Sequence, residues 1–152
     1  MNIVLLGDCQ TGKTSFAQKL TENIFSESYV ATIAKELFVH VYEGQVIYIH
    51  DCSGLERYQD LNQLYYEKAS GFIILYTNKN PQKWIDKIPR NKPFITVLNK
   101  CDIYNDNNDI KISCKKNINI HKPLEILYPL MDKPEPSTWF AWIEYILSFI
   151  KF

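Results

Sequence analysis

The run Gly7-Asp8-Cys9-Gln10-Thr11-Gly12-Lys13-Thr14 matches G-x-x-x-x-G-K-[ST] at every fixed position. An apolar stretch, Asn2 to Leu6, precedes it, and a helix-like stretch from Lys13 to Leu20 follows. Residues of these types in this order bind phosphate. Backbone N–H groups of such a loop converge on phosphate oxygens, and the helix N-terminus adds the positive end of its dipole. Lys13 can reach the β- and γ-phosphates, and the Thr14 hydroxyl is a hard oxygen suited to Mg²⁺. Gly12 permits close backbone approach. The motif implies a nucleoside triphosphate but selects neither the base nor hydrolysis.

The base is addressed further along. Asn99-Lys100-Cys101-Asp102 follows the apolar run Phe94 to Leu98. An aspartate in such a loop can accept two hydrogen bonds from the N1–H and N2–H₂ edge of guanine, a donor pair that adenine lacks. Strand, phosphate loop and N-K-x-D together point to guanine.

With these two motifs in order, the chain resembles a small GTPase of the Ras superfamily. The resemblance implies GTP or GDP with Mg²⁺ as the bound group, and it extends to further positions. Asp51-Cys52-Ser53-Gly54 stands for the D-x-x-G element, in which Asp51 would reach Mg²⁺ through water and the Gly54 N–H would meet the γ-phosphate. Thr32 stands 19 positions after Lys13, where the superfamily has its switch threonine and metal ligand. Phe25 stands 12 after Lys13, where an aromatic edge lies against guanine. Ser113-Cys114-Lys115 resembles S-A-K, with Ser113 supporting Asp102 and the next N–H available to guanine O6. Catalytic roles would fall to Lys13, Thr32, Gly54 and the position of Leu55.

Within the superfamily, three stretches are most similar to the Ran branch. Tyr29-Val30-Ala31-Thr32-Ile33 is close to Y-V-A-T-L, Thr11-Gly12-Lys13-Thr14 matches T-G-K-T, and Asn117 to Leu124 resembles S-N-Y-N-F-E-K-P-F. The resemblance covers residues 1 to 131. It implies importin- and exportin-type receptors or Ran regulators as partners, in cytoplasm and nucleus. A Rab-like protein of vesicle traffic is the alternative, against which the absence of a C-terminal cysteine counts.

One departure bears on chemistry. The superfamily has glutamine after D-x-x-G to orient the attacking water, and this chain has Leu55. Leucine has no hydrogen-bonding group, so hydrolysis should be very slow unless Tyr58 or Gln59 takes over the water. The expected behaviour is therefore either a sluggish cycling switch or a module held in the GTP form, a decoy or scaffold.

Positioning these residues requires an α/β domain. The sequence predicts a Ras-like fold with a six-stranded, mostly parallel sheet and flanking helices, some of them shortened or missing. Strands are expected at Asn2 to Leu6, Glu36 to Tyr42, Gln45 to His50, Phe72 to Tyr76, Phe94 to Leu98 and Ile110 to Ser113. Glu43-Gly44 signals a two-residue hairpin. Only a short helix fits around Pro81 to Ile88, and none fits between Asp102 and Ser113, which should expose part of the sheet. A helix at Pro123 to Met131 should bend or end at Pro129. Residues 1–133 form the expected minimal G domain, and 134–152 an apolar helix packed on it or appended to it.

Composition narrows the alternatives. With 152 residues, one core suffices. The formal net charge of zero argues against a broad electrostatic grip on nucleic acid or anionic lipid. No run is long and apolar enough to span a bilayer, and no lipid anchor is expected. Cys9, Cys52, Cys101 and Cys114 form no C-x-x-C pair and read as reduced intracellular thiols. His40, His50 and His121 show no metal-ligand spacing, and a monomer is expected.

Overall fold

The computed structural model describes residues 1–27, 35–52, 66–107 and 110–132. Thr32, Ser53, Gly54, Leu55 and the segment 134–152 lie outside the described residues.

Strands β1 (Asn2–Leu6), β4 (Gly71–Tyr76) and β5 (Phe94–Leu98) are the short apolar runs of the sequence. They are mostly apolar because both faces of β1 and β4 are covered, while β5 leaves Phe94 exposed. β2 (Lys35–Tyr42) and β3 (Gln45–Cys52) form an antiparallel hairpin. Its two-residue turn, Glu43 at φ 48° and Gly44 at φ 75°, has the positive dihedrals that match strand twist. The sheet order is β2-β3-β1-β4-β5, with every pair parallel except the hairpin. This places the C-terminal ends of β1, β3, β4 and β5 along one edge, where open α/β sheets bind their ligands.

Alternation along the strands creates two cores. Ile3, Leu5, Ile49, Ile73 and Val97 face α1 (Lys13–Glu22), which presents Phe16, Ala17 and Leu20. Val4, Leu6, Phe72 and Ile74 face the other way and pack with Trp84 and Ile88. Trp84 belongs to α2 (Gln82–Ile85), which is as short as the spacing demanded. On the larger core, α3 (Lys122–Leu127) gives way to a 3₁₀ turn at Tyr128–Leu130. Pro129 lacks the N–H an α-helix needs, so the helix ends where the sequence predicts. An apolar face of the hairpin, Leu37, Val39, Val41, Val46 and Tyr48, is exposed, as is Phe94 on β5.

The sixth strand is a correction. Among the described residues the sheet has five strands, and the segment from Ile110 makes only one parallel bridge, Leu98 to Lys111. Ile112 donates its N–H to Leu98 O (2.8 Å) and Leu98 donates to Ile110 O (2.9 Å). The apolar pattern is right, since Ile110 and Ile112 are buried. The chain then folds back at once, with Ser113 and Ile118 bridging antiparallel, so the ladder cannot lengthen.

His40 on β2 sits beside His121, with ring centroids 6.4 Å apart. Burial, and then the neighbouring imidazole, holds its pKa below the ordinary 6.5. A depressed folded value means the unfolded chain binds the extra proton first. Stability contributed here is present above pH 6.5 and is lost as pH falls through the folded value. The unfolding midpoint should therefore fall on acidification below about pH 6.5, and His40→Asn should flatten that part of the profile. An unchanged slope in the variant would contradict this.

Candidate functional site

The phosphate loop leaves β1 at Gly7, whose φ of 140° and approach to Leu75 O leave no room for a Cβ, which would lie 2.1 Å from that oxygen. Gln10 adopts a left-handed φ of 63°, and Thr11 closes the turn by donating Oγ1 to Asp8 O at 3.0 Å. Gly12, at φ 89°, precedes α1, which starts without a side-chain cap. Its first N–H groups are the donors an anion would use.

Lys13 is buried, and its ammonium donates to Gly7 O (2.9 Å) and Asp8 O (2.8 Å). Burial lowers its pKa, with Asp51 opposing the shift. The Thr14 hydroxyl donates to Asp51 Oδ2. Asp51, at the end of β3, is fully buried, and its Oδ1 has no hydrogen-bond partner among the described residues. Burial pushes its carboxyl up to about 6, against the Thr14 hydrogen bond and the Lys13 charge. A buried carboxylate oxygen left unsatisfied beside a threonine hydroxyl fits hydrated Mg²⁺, which takes few protein oxygens and keeps its waters.

The base loop begins where β5 ends. Asn99 is buried and reaches back across 88 positions, its Nδ2 donating to Thr11 O at 2.8 Å. Its Oδ1 accepts from Lys100 N at 2.7 Å and from Cys114 Sγ at 3.6 Å. Asn99 thus ties the base loop to the phosphate loop, a role the N-K-x-D pattern alone does not reveal. Lys100 takes a left-handed φ of 58° and turns the chain so that Asp102 stands exposed. Ser113, fully buried, donates Oγ to Asp102 Oδ1 and accepts from Lys116 N at 3.1 Å. The Ser113 hydrogen bond is the largest influence on the Asp102 carboxyl and holds it below the usual carboxylate range. Asp102 is therefore an anchored, ionised acceptor.

Cys114 is buried, which pushes its thiol up to about 12, so it is a packing residue and not a nucleophile. All four cysteines are free. Phe25 is half-buried against the larger core, and two residues on Glu27 pairs with Lys115 at 2.8 Å, which brings the Phe25 segment to the rim of the base loop. The structure thus brings together Gly7 to Thr14, Asp51, Asn99, Lys100, Asp102, Ser113, Cys114 and Lys115. Thr32, Gly54 and Leu55 are outside the described residues.

Gly12 marks how tightly the loops are joined. A Cβ there would lie 2.3 Å from Asn99 Nδ2, at a φ that side chains rarely adopt. Gly12→Ala should displace the Asn99 carboxamide and weaken nucleotide binding by about ten- to a hundredfold, the equivalent of about 1–3 kcal/mol of strain. Titration with a fluorescent guanine nucleotide checks this, and unchanged affinity would contradict it.

Fold and site together define a P-loop guanine-nucleotide-binding domain. The chain belongs to the Ras family: the model described as "Ras family" matches residues 2–130. It is 32% identical to the Ras-related protein RabT2 of Dictyostelium discoideum, the match covering 84% of this chain and 74% of that one. It is 35% identical to Ras-related protein Rab-5B of Plasmodium falciparum, over 68% of this chain and 57% of the relative. It is 30% identical to human Ras-related protein Rab-7L1, over 66% and 59%. For the last two, the match spans less than two thirds of the relative.

These relatives carry Rab names, and they do not support the Ran branch expected from the sequence. The structure gives a local reason for part of that resemblance. Asn117 and Asn119 occupy left-handed turn positions (φ 56° and 53°), and Pro123 stands in the first turn of α3. Asparagine and proline are favoured there by turn and helix-start chemistry in any chain. The Tyr29 to Ile33 stretch lies outside the described residues.

Proposed function

We propose that this chain is a Rab-type small GTP-binding protein that retains Mg²⁺·GTP and hydrolyses it very slowly. The observation that carries the nucleotide reading is the joined pair of loops: Lys13 held at the phosphate loop, Asp102 anchored by Ser113, and Asn99 fixing one to the other. Asp102 reads the guanine edge, and the loop amides and Lys13 hold the phosphates. Thr14 would hold Mg²⁺ directly and Asp51 through water, and the metal, when bound, supplies charge neutralisation at the phosphates. Thr32 and Gly54 would sense the γ-phosphate and present a switch surface to effectors. Leu55 leaves the attacking water without an orienting hydrogen bond.

Support for the Rab type comes from the names of the relatives, and support for slow hydrolysis from Leu55. A Ran-type role with importin-type receptors is the competing assignment. Nucleotide extracted from the purified protein should be largely GTP, and GTP-loaded protein should capture no importin-type receptor in a pull-down. Recovery of GDP alone would overturn slow hydrolysis, and GTP-dependent importin capture would overturn the Rab assignment.

A further inference from the structure

The phosphate loop carries a carboxylate where a polyanion must bind. Asp8 is its second residue, and its main-chain oxygen is one of the two acceptors for Lys13 Nζ (2.8 Å). Its side chain is held by α2. The indole N–H of Trp84 donates to Asp8 Oδ1 at 2.9 Å, and the Lys83 ammonium lies 2.7 Å from the same oxygen. Neither contact is local, since 76 positions separate Asp8 from Trp84.

The clasp is itself held in place. Trp84 is buried in the smaller core with Leu6 and Ile74. Lys87 Nζ sits 4.5 Å from its ring centroid and Lys83 Nζ 5.5 Å, so two cations flank the indole. The start of α2 is fastened by Gln82 N donating to Asn80 Oδ1 and Gln82 Nε2 donating to Asp86 Oδ1, both at 2.8 Å. Burial pushes the Asp8 carboxyl up, but the Lys83 and Trp84 hydrogen bonds and the Lys83 and Lys79 charges outweigh it, so Asp8 remains ionised. An ionised carboxylate free to swing toward the cradle would repel phosphate oxygens and release the carbonyl that orients Lys13.

We infer that Lys83 and Trp84 are positioning residues for nucleotide binding: they turn the Asp8 side chain away from the phosphates, offset its charge with an ion pair, and so fix the Asp8 carbonyl that receives Lys13. This rests on the chain binding a guanine nucleotide through its phosphate loop. The helix that is shortened in this chain thereby acquires a task at the loop.

The test measures dissociation of a fluorescent GDP from the full chain with Mg²⁺, alongside the thermal unfolding midpoint. Lys83→Met keeps the stem and removes the charge, and it should speed dissociation about fivefold, at the upper end for a partly exposed ion pair. The midpoint should move by no more than about 2 °C. Trp84→Phe, which keeps an aromatic side chain but removes the N–H along with part of the indole, should act in the same direction. The discriminating variant is Asp8→Asn. Once the carboxylate is gone, adding Lys83→Met should change dissociation by less than about twofold. Dissociation unchanged by Lys83→Met, or an equal effect of Lys83→Met with and without the carboxylate, would overturn the inference. Failure of the unaltered chain to bind GDP at all would instead overturn the nucleotide-binding reading.

Discussion

Asp102→Ala is expected to lower GTP affinity by about three orders of magnitude while leaving the fold intact. Two hydrogen bonds from the guanine edge to an ionised carboxylate contribute about 1.5–3 kcal/mol each, and tenfold in affinity is about 1.4 kcal/mol. The full loss is expected because Asp102 is already prepared. Ser113 holds Oδ1, Lys116 N in turn holds the Ser113 oxygen, and the Ser113 hydrogen bond holds the carboxyl below its ordinary range, so the acceptor is charged at neutral pH. Little stability should be lost, because Asp102 is exposed and Ser113 keeps the Lys116 contact. ATP, which has no matching donor pair, should bind the variant and the unaltered protein with similar weak affinity. Competition binding with both nucleotides reads the effect. A comparable loss for ATP would mean that Asp102 supports the loop and does not read the base.

Leu55→Gln is expected to raise single-turnover GTP hydrolysis by about tenfold or more, toward the ~10⁻⁴ to 10⁻³ s⁻¹ of unaided family members. Glutamine has both a donor and an acceptor with which to orient water for in-line attack, and leucine has neither. In the proposed reading the transition state would be stabilised by the loop amides, Lys13 and a metal ion held near Thr14 and Asp51, so restoring one orienting group should suffice. GTP affinity should change little, since Leu55 carries no group that binds phosphate. Phosphate release measured after adding Mg²⁺ to GTP-loaded protein gives the rate. If the unaltered protein already hydrolyses at the rate of the variant, another group, such as Tyr58 or Gln59, positions the water.

Much of the fold is legible in the residues because the relevant signals are local. β1 and β4 read as apolar runs because both their faces are buried, and β5 reads much the same although Phe94 at its start is exposed. Glu43-Gly44 shows its hairpin through backbone preference, and Pro129 ends α3 through its missing N–H. The phosphate loop and Asp102 are legible for the same reason, since each is a short motif between a strand and its successor. Ile110 to Ser113 misleads because burial alone makes a segment apolar and β-branched, and ladder length depends on where the chain turns back. What sequence spacing does not reveal is the cross-chain fastening. Asn99 to Thr11 and Trp84 to Asp8 are hydrogen bonds over 88 and 76 positions, created by sheet order. The Asn117 to Leu124 stretch separates the branches poorly for a similar reason: turn asparagines and a helix-starting proline answer to local geometry in any chain.

The most direct measurement is calorimetric titration of the nucleotide-stripped protein with GTP and, separately, ATP in the presence of Mg²⁺. Guanine recognition by Asp102 predicts GTP binding at least about a hundredfold tighter than ATP, the least that two lost charge-assisted hydrogen bonds would cost. Equal affinity for the two nucleotides, or binding of neither, would contradict the account.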